Sequence, residues 1–157
     1  MSAFTLRAAT AADIPKLVEL AVRYVSEAAP GFPPVDREIL TAQFAADIAN
    51  IALADKGEGV IAGVIWLRRK QYWWSAQELL AEQLFYVAPE HRANGVAKDL
   101  AQFAKLVALE NKLPLTMGHM SGIDVDRKDA WYGRALGMTR IGGIFAYNWD
   151  AAGASGD

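Results

Sequence analysis

Residues 82–97, Glu-Gln-Leu-Phe-Tyr-Val-Ala-Pro-Glu-His-Arg-Ala-Asn-Gly-Val-Ala, decide how the rest of the chain is read. The stretch opens as a strand, because Leu84, Phe85, Tyr86 and Val87 are types that suit a pleated, half-buried surface. Pro89 has no amide to give to a ladder and ends it. Arg92, Ala93, Asn94 and Gly95 follow, and an amphipathic helical pattern begins at Val96. A strand, a short turn with a cation and a glycine, and a helix N-terminus gather backbone amides around an anion. Arg92 adds a permanent charge and a planar fork of donors, and Gly95 lets the backbone approach a bulky ligand. The turn reads either as a site for a phosphate-bearing ligand or as a plain helix start. The chain has no Gly-x-x-x-x-Gly-Lys-Ser/Thr, and no Gly-x-Gly-x-x-Gly opens a first βα unit, so the two commonest nucleotide-binding loops are not supported.

The chain has 157 residues, 53% of them hydrophobic, which suits one compact domain with a substantial core. Sixteen Lys and Arg against eighteen Asp and Glu give a formal net charge of −2, so no global basic field for nucleic acid exists. The absence of cysteine excludes disulfides, Cys-ligated metal and a Cys nucleophile, and no metal site is expected. No apolar run has the length of a membrane span, and the start lacks the plan of a signal peptide. The expectation is a soluble, cytoplasmic protein without a nucleic-acid or membrane partner.

Along the chain, Phe4 to Ala8 alternates as a first strand. Thr10, with Asp13 three positions on, reads as the capped start of a helix with Ile14, Leu17, Val18, Ala21, Val22 and Val25 on one face. Pro30-Gly31 and Pro33-Pro34 close it, and Asp36 caps a second helix with Leu40, Phe44 and Ile48 aligned. A hairpin follows, from Ile51 to Ala54 and Val60 to Leu67 around a Lys56-Gly57-Glu58-Gly59 turn. The segment from Arg68 to Leu79 is polar and aromatic; Trp73 and Trp74 read as an acceptor-site wall, or as strand packing or a dimer contact. Beyond the central strand, Val96, Leu100, Phe103 and Val107 make the stripe of a helix reaching about Asn111, ended by Lys112 and Pro114. Leu115 to Met120 is a strand ending in Ser121-Gly122, and Asp124 or Asp126 starts a helix that stops at Gly137. Met138 to Ile141 and Ile144 to Trp149 read as a closing hairpin on Gly142-Gly143.

Arg92-x-x-Gly95-x-Ala97 resembles motif A of the GNAT superfamily of acyl-CoA N-acetyltransferases, whose signature is Gln/Arg-x-x-Gly-x-Gly/Ala. Tyr86-Val87-x-Pro89-Glu90-His91-Arg92 is similar to that family's lead-in, and the β-α-α-β-β-β-α-β-α-β-β order is the one GNAT domains have. Trp131-Tyr132 with Gly137-Met138 is similar to the family's Phe/Leu-Tyr-x-x-x-x-Gly-Phe segment. With Met120-Ser121-Gly122 the pattern is closest to phage-associated GNAT proteins of similar length. The resemblance implies an α/β (α+β) GNAT fold: a mixed, mostly antiparallel central sheet with helices on both faces, splayed between the fourth and fifth strands. It implies one acetyltransferase domain over residues 1–150, with residues 151–157 a flexible tail.

The resemblance also implies acetyl-CoA as co-substrate and an N-acetyltransferase passing the acetyl group directly to a primary amine in a ternary complex. The donor's pyrophosphate would sit on Ala93, Asn94, Gly95, Val96 and Ala97, with Arg92 beside it and Lys98 as a further cation. The pantetheine arm would pair with the free backbone of Phe85, Tyr86 and Val87, and the Val87 amide would face the developing oxyanion. Tyr132 stands at the position of the general acid, or else is a tyrosine filling core space. Glu82 is the best-placed carboxylate for a base, or an edge glutamate paired with an arginine. His119, at the end of the following strand, is a candidate base, although a lone histidine is more often a satisfied structural residue, and His91 reads as a surface turn residue. The family often has an asparagine seven residues before the tyrosine, where this chain has Val125; Ala97 stands for glycine and Met138 for the usual aromatic. The acceptor is an amine of a small molecule or a protein, and a homodimer is compatible with the family. The competing reading is a GNAT-fold protein that binds acyl-CoA without turnover, as sensor or interaction partner.

Overall fold

A computed structural model describes residues 3–28, 31–120 and 124–146. One sheet holds β1 (Thr5–Ala8), β2 (Ile51–Asp55), β3 (Ile61–Gln71), β4 (Glu78–Val87) and β5 (Leu115–Thr116), side by side in that order. The first four strands are antiparallel neighbours, and β5 runs parallel to β4. The helices are α1 (Ile14–Ser26), α2 (Arg37–Asp47), α3 (Val96–Glu110) and α4 (Val125–Leu136). This is the mixed, mostly antiparallel α/β arrangement expected from the sequence.

The sheet separates two apolar layers. On one side Leu17, Val18 and Ala21 of α1 and Phe44 of α2 pack on Leu53, Val64, Trp66, Leu84 and Tyr86. On the other, Val96, Leu100, Ala104 and Ala108 of α3 cover Ala52, Ile65, Leu67, Leu80 and Val87. Small residues let α3 lie close, and at Gly63 the fit is closer still: an added Cβ would stand 2.9 Å from the Tyr86 carbonyl oxygen and 3.0 Å from Leu100.

The expected caps form. Thr10 and Asp13 make a capping box ahead of α1, and the Asp36 carboxylate accepts from the amides of Glu38 and Ile39 at 2.9 and 3.0 Å. Asp13 is buried and gripped by both terminal nitrogens of Arg7 at 2.8 Å, while Arg7 Nε donates to Asp55 at 2.6 Å. That guanidinium holds the Asp13 carboxyl well below the usual carboxylate range.

One irregularity in β4 positions everything that follows. Trp66 pairs with Leu84 but Leu67 pairs with Glu82, leaving Gln83 as an extra residue in the strand. Such a bulge reverses the in–out alternation. Leu80 therefore faces α3, yet beyond the bulge it is Phe85 and Val87 that face α3, while Leu84 and Tyr86 face α1. A bulged strand bends locally, and β4 and β5 part at this point. Their ladder holds only Leu80↔Leu115 and Ala81↔Thr116, and from Glu82 onward β4 has no partner on that side among the described residues. The splay between the fourth and fifth strands is present.

Three elements differ from the sequence reading. β3 continues to Gln71 because Arg68–Gln71 pair with Glu78–Ala81, so the aromatic segment becomes a hairpin tip. There Tyr72 stacks on Trp74 at 4.5 Å and Trp73 is 93% exposed. β5 is two residues long, since the chain after Thr116 turns towards Glu82. Residues 138–146 form no strand of the expected closing hairpin; Arg140 turns to Asp129 of α4 and to the Gly142 carbonyl, and Ile141, Ile144 and Phe145 stay exposed. Trp149, Ser121, Gly122 and the tail 151–157 lie outside the described residues.

Candidate active site

The motif stretch folds as β4, a 3-10 turn over Pro89–Asn94, and α3. Gly95 joins turn to helix at φ +77°, a left-handed conformation that only glycine adopts without strain. Nothing lies within 4 Å of where its Cβ would be, so the space before the helix is open. Val96 is fully buried and anchors that end of α3, while Ala93, Asn94, Gly95 and Lys98 are exposed beside the opening and Ala97 is half-buried. A helix N-terminus leaves its first amides without helical partners. Open space, a positive φ and a dipole's positive end together fit a diphosphate.

Arg92 is placed differently from the expectation of a side chain directed at that anion. Its Nε donates to the Val87 carbonyl at 3.0 Å, its Nη2 pairs with Glu27 at the end of α1, and its guanidinium lies over the Tyr86 ring. The Tyr86 hydroxyl donates to the same Glu27 carboxylate at 2.5 Å. Arg92 thus ties α1 to the end of β4. His91 is half-buried rather than on the surface, with Nδ1 enclosed and no hydrogen-bond partner among the described residues.

Where β4 and β5 part, the three candidate catalytic residues come together around Gly118. The Gly118 amide donates to Glu82 Oε2 at 3.1 Å, and its carbonyl accepts from the Tyr132 hydroxyl at 2.9 Å. His119 follows, its ring stacked on Tyr132 with centroids 6.0 Å apart and Nε2 2.9 Å from Asp129 Oδ1. Trp131 stacks on Phe85 across the cleft, which seats α4 against β4.

Burial sets the proton affinities here. It pushes the Glu82 carboxyl up to about 7, with the Gly118 amide and Lys70 opposing, so the group exchanges its proton near neutrality. It pushes the Tyr132 phenol well above its ordinary value, helped by the Glu82 charge, so the phenol keeps its proton at neutral pH. Tyr24 of α1 is raised by burial and by Glu82. A carboxylate that can accept a proton thus lies beside a phenol that can give one.

A model of the Acetyltransferase (GNAT) family matches residues 16–131. The chain belongs to the GNAT family. No curated protein matches it, but solved structures do. An aminoglycoside 6'-N-acetyltransferase of Acinetobacter haemolyticus shares 16% identity at TM-score 0.65, over 91% of this chain and 96% of that one. A Clostridium acetobutylicum protein described as a predicted acetyltransferase, crystallised with acetyl-CoA, shares 19% at 0.67, over 92% and 96%. An aminoglycoside acetyltransferase from an uncultured soil metagenomic sample, in complex with sisomicin, shares 14% at 0.63, over 92% and 95%. These likenesses carry the fold.

In this GNAT chain the matched span stops one residue before Tyr132, so the place of the tyrosine rests on its own geometry. Several site residues were not singled out from sequence. Tyr24 and Glu27 were not among the stripe residues of the first helix, Gly118 carried no signal, and Asp129 could have been flagged by lying three residues before Tyr132 on the same helical face. A hollow of about 720 Å³ lies elsewhere, bordered by Leu6, Ala52, Leu67, Phe103, Val107 and Asn111. It contains none of the candidate catalytic or donor-binding residues.

Proposed function

We propose that this GNAT protein is an acetyl-CoA-dependent N-acetyltransferase that moves an acetyl group to a primary amine of a small molecule or protein, in a cytoplasmic setting. The observation that carries this is the meeting of Glu82 and Tyr132 on Gly118, at the opening beside the unpaired edge of β4. The donor's diphosphate lies at Ala93–Lys98, its pantetheine arm runs along Phe85, Tyr86 and Val87, and the Val87 amide faces the thioester oxygen. Family membership supports direct transfer within a ternary complex.

An alkylammonium acceptor with an ordinary pKa of about 10.4 must lose one proton before attack and a second as the tetrahedral adduct collapses. One of the two finishes on the leaving sulfur through Tyr132, and the other leaves to solvent. Glu82 and His119 are the groups placed to accept them. The new bond is C–N, the broken bond is C–S, and the products are the amide, free thiol and one released proton.

The test is thiol release from acetyl-CoA with a panel of amines that includes aminoglycosides, alongside calorimetry with acetyl-CoA. Release with at least one amine is expected. Heat of binding with no release for any acceptor would make the protein a non-catalytic acyl-CoA binder instead.

A further inference from the structure

Among the described residues, the His119 ring is hydrogen-bonded through a specific nitrogen. Nε2 lies 2.9 Å from Asp129 Oδ1, and the other carboxylate oxygen, Oδ2, accepts from Arg140 Nη1 at 3.0 Å. Arg140 is itself fixed, since its Nε donates to the Gly142 carbonyl at 3.2 Å. With both oxygens occupied the carboxylate cannot rotate freely, and the His119 hydrogen bond holds the Asp129 carboxyl below its usual range, so it stays an anion. A carboxylate has only lone pairs to offer, so the nitrogen facing it must carry the proton. The neutral ring is therefore the Nε2–H tautomer, and its basic lone pair is on Nδ1. Stacking on Tyr132, which itself points at Gly118, fixes the plane of that ring within the site.

We propose that Asp129 is a positioning residue of the transfer reaction, holding His119 as the Nε2–H tautomer so that Nδ1 accepts a proton from the acceptor amine. The proposal rests on the N-acetyltransferase reading. In the step, the N–H bond of the acceptor breaks and its electron pair stays on nitrogen, ready for the thioester carbon. The proton moves to Nδ1, and the resulting imidazolium is stabilised by Asp129 until it passes the proton to solvent. Among the described residues, the charged and titratable groups linked to the ring are Asp129 and Tyr132 of α4, Arg140 beyond it, and Glu82 of β4 through Gly118.

Asp129 touches no reacting atom, so activity alone is too blunt a probe. The chain has two histidines, which makes ¹⁵N-detected imidazole NMR decisive, with His91→Gln used only to assign the signals. In its neutral form, wild-type His119 should show protonated Nε2 and bare Nδ1. Asp129→Ala should mix the tautomers and lower kcat about tenfold or more, leaving KM for acetyl-CoA unchanged. Asp129→Asn leaves one acceptor oxygen for two donors, Arg140 and the His119 Nε2–H, so it should mix the tautomers too, whereas Asp129→Glu, which keeps the anion, should retain more of the tautomer and of kcat than the Ala variant. A wild-type ring protonated on Nδ1 would overturn the proposal. So would a normally active Asp129→Ala protein, and that result leaves the transferase reading standing. If wild type itself releases no thiol with any amine, the transferase reading falls first and this proposal with it.

Discussion

Glu82 and Tyr132 stand 50 residues apart in the chain and hold the same residue, Glu82 taking the Gly118 amide at 3.1 Å and Tyr132 giving its hydroxyl to the Gly118 carbonyl at 2.9 Å. A flexible glycine after a two-residue strand is thereby fixed from both sides. The proton acceptor and the proton donor of the proposed reaction are held by one backbone position.

Removing the Tyr132 hydroxyl deletes both the Gly118 contact and the acid that would serve the leaving sulfur. Tyr132→Phe should lower kcat about a hundredfold while acetyl-CoA binds as before. Steady-state thiol release with parallel calorimetry measures both, and an unchanged kcat would show that Tyr132 is a core tyrosine.

Because burial raises the Glu82 carboxyl to about 7, kcat/KM should climb with pH through neutrality as the group ionises. Glu82→Gln should flatten that limb. The same shift acts on stability with a defined sign: between the unfolded value of 4.5 and about 7, the folded protein holds the extra proton. Stability from this group is thus full below 4.5 and falls as pH rises through that window. A melting-temperature series against pH should show the decline in wild type and lose it in Glu82→Gln.

Gly95 needs its φ of +77° but has open space around it. Gly95→Ala should cost about 1 kcal/mol through backbone strain alone. Gly95→Val, which also fills the opening, should weaken acetyl-CoA at least tenfold, a loss of roughly 1.4 kcal/mol. Chemical denaturation and ligand titration separate the two effects, and full-strength donor binding by the Val variant would remove the diphosphate from this corner.

At Gly63 the reverse holds. The backbone conformation is ordinary and the space is missing, with the Tyr86 carbonyl oxygen 2.9 Å from the position of a Cβ. Gly63→Ala should destabilise by about 1–3 kcal/mol through overpacking between β3 and α3. Urea unfolding measures it, and a neutral result would mean that α3 can move away from the sheet.

Asp13 is depressed by Arg7, so its contribution is present above the unfolded value of 3.8 and is lost as pH falls below it towards the folded value. Asp13→Asn should cost about 2 kcal/mol at neutral pH, the worth of a charged hydrogen bond, and shrink the acid sensitivity. Denaturant midpoints at pH 7 and pH 3 give both quantities.

The sequence was most informative where local chemistry is decisive. Pro89, Gly95 and the apolar stripe from Val96 dictate a strand, a turn and a helix without help from the rest of the chain, and Thr10, Asp13 and Asp36 cap as their types require. The parts that were not legible depend on pairing at a distance. Gln83 becomes a bulge only because Trp66 and Leu67 oppose its two neighbours. The extension of β3 to Gln71 is set by Glu78–Ala81, and the fate of residues 138–146 by Arg140 finding Asp129. At the site, Glu82, His119 and Tyr132 were named from strand position and resemblance, but the glycine that unites them has no side chain to read. Arg92 carries a charge suited to phosphate, yet its side chain answers to Glu27, a residue 65 positions away.

Gln83 makes the separation of β4 from β5 a matter of chain length. Deleting that one residue would restore a regular ladder, Glu82 and Leu84 becoming neighbours opposite Leu67 and Trp66, with Leu84 to Val87 kept on their present layers and the strand straightened against its neighbour. The cleft would close with every proton donor and acceptor still encoded, so a three-base deletion at this codon would silence the protein more completely than most substitutions within the cleft.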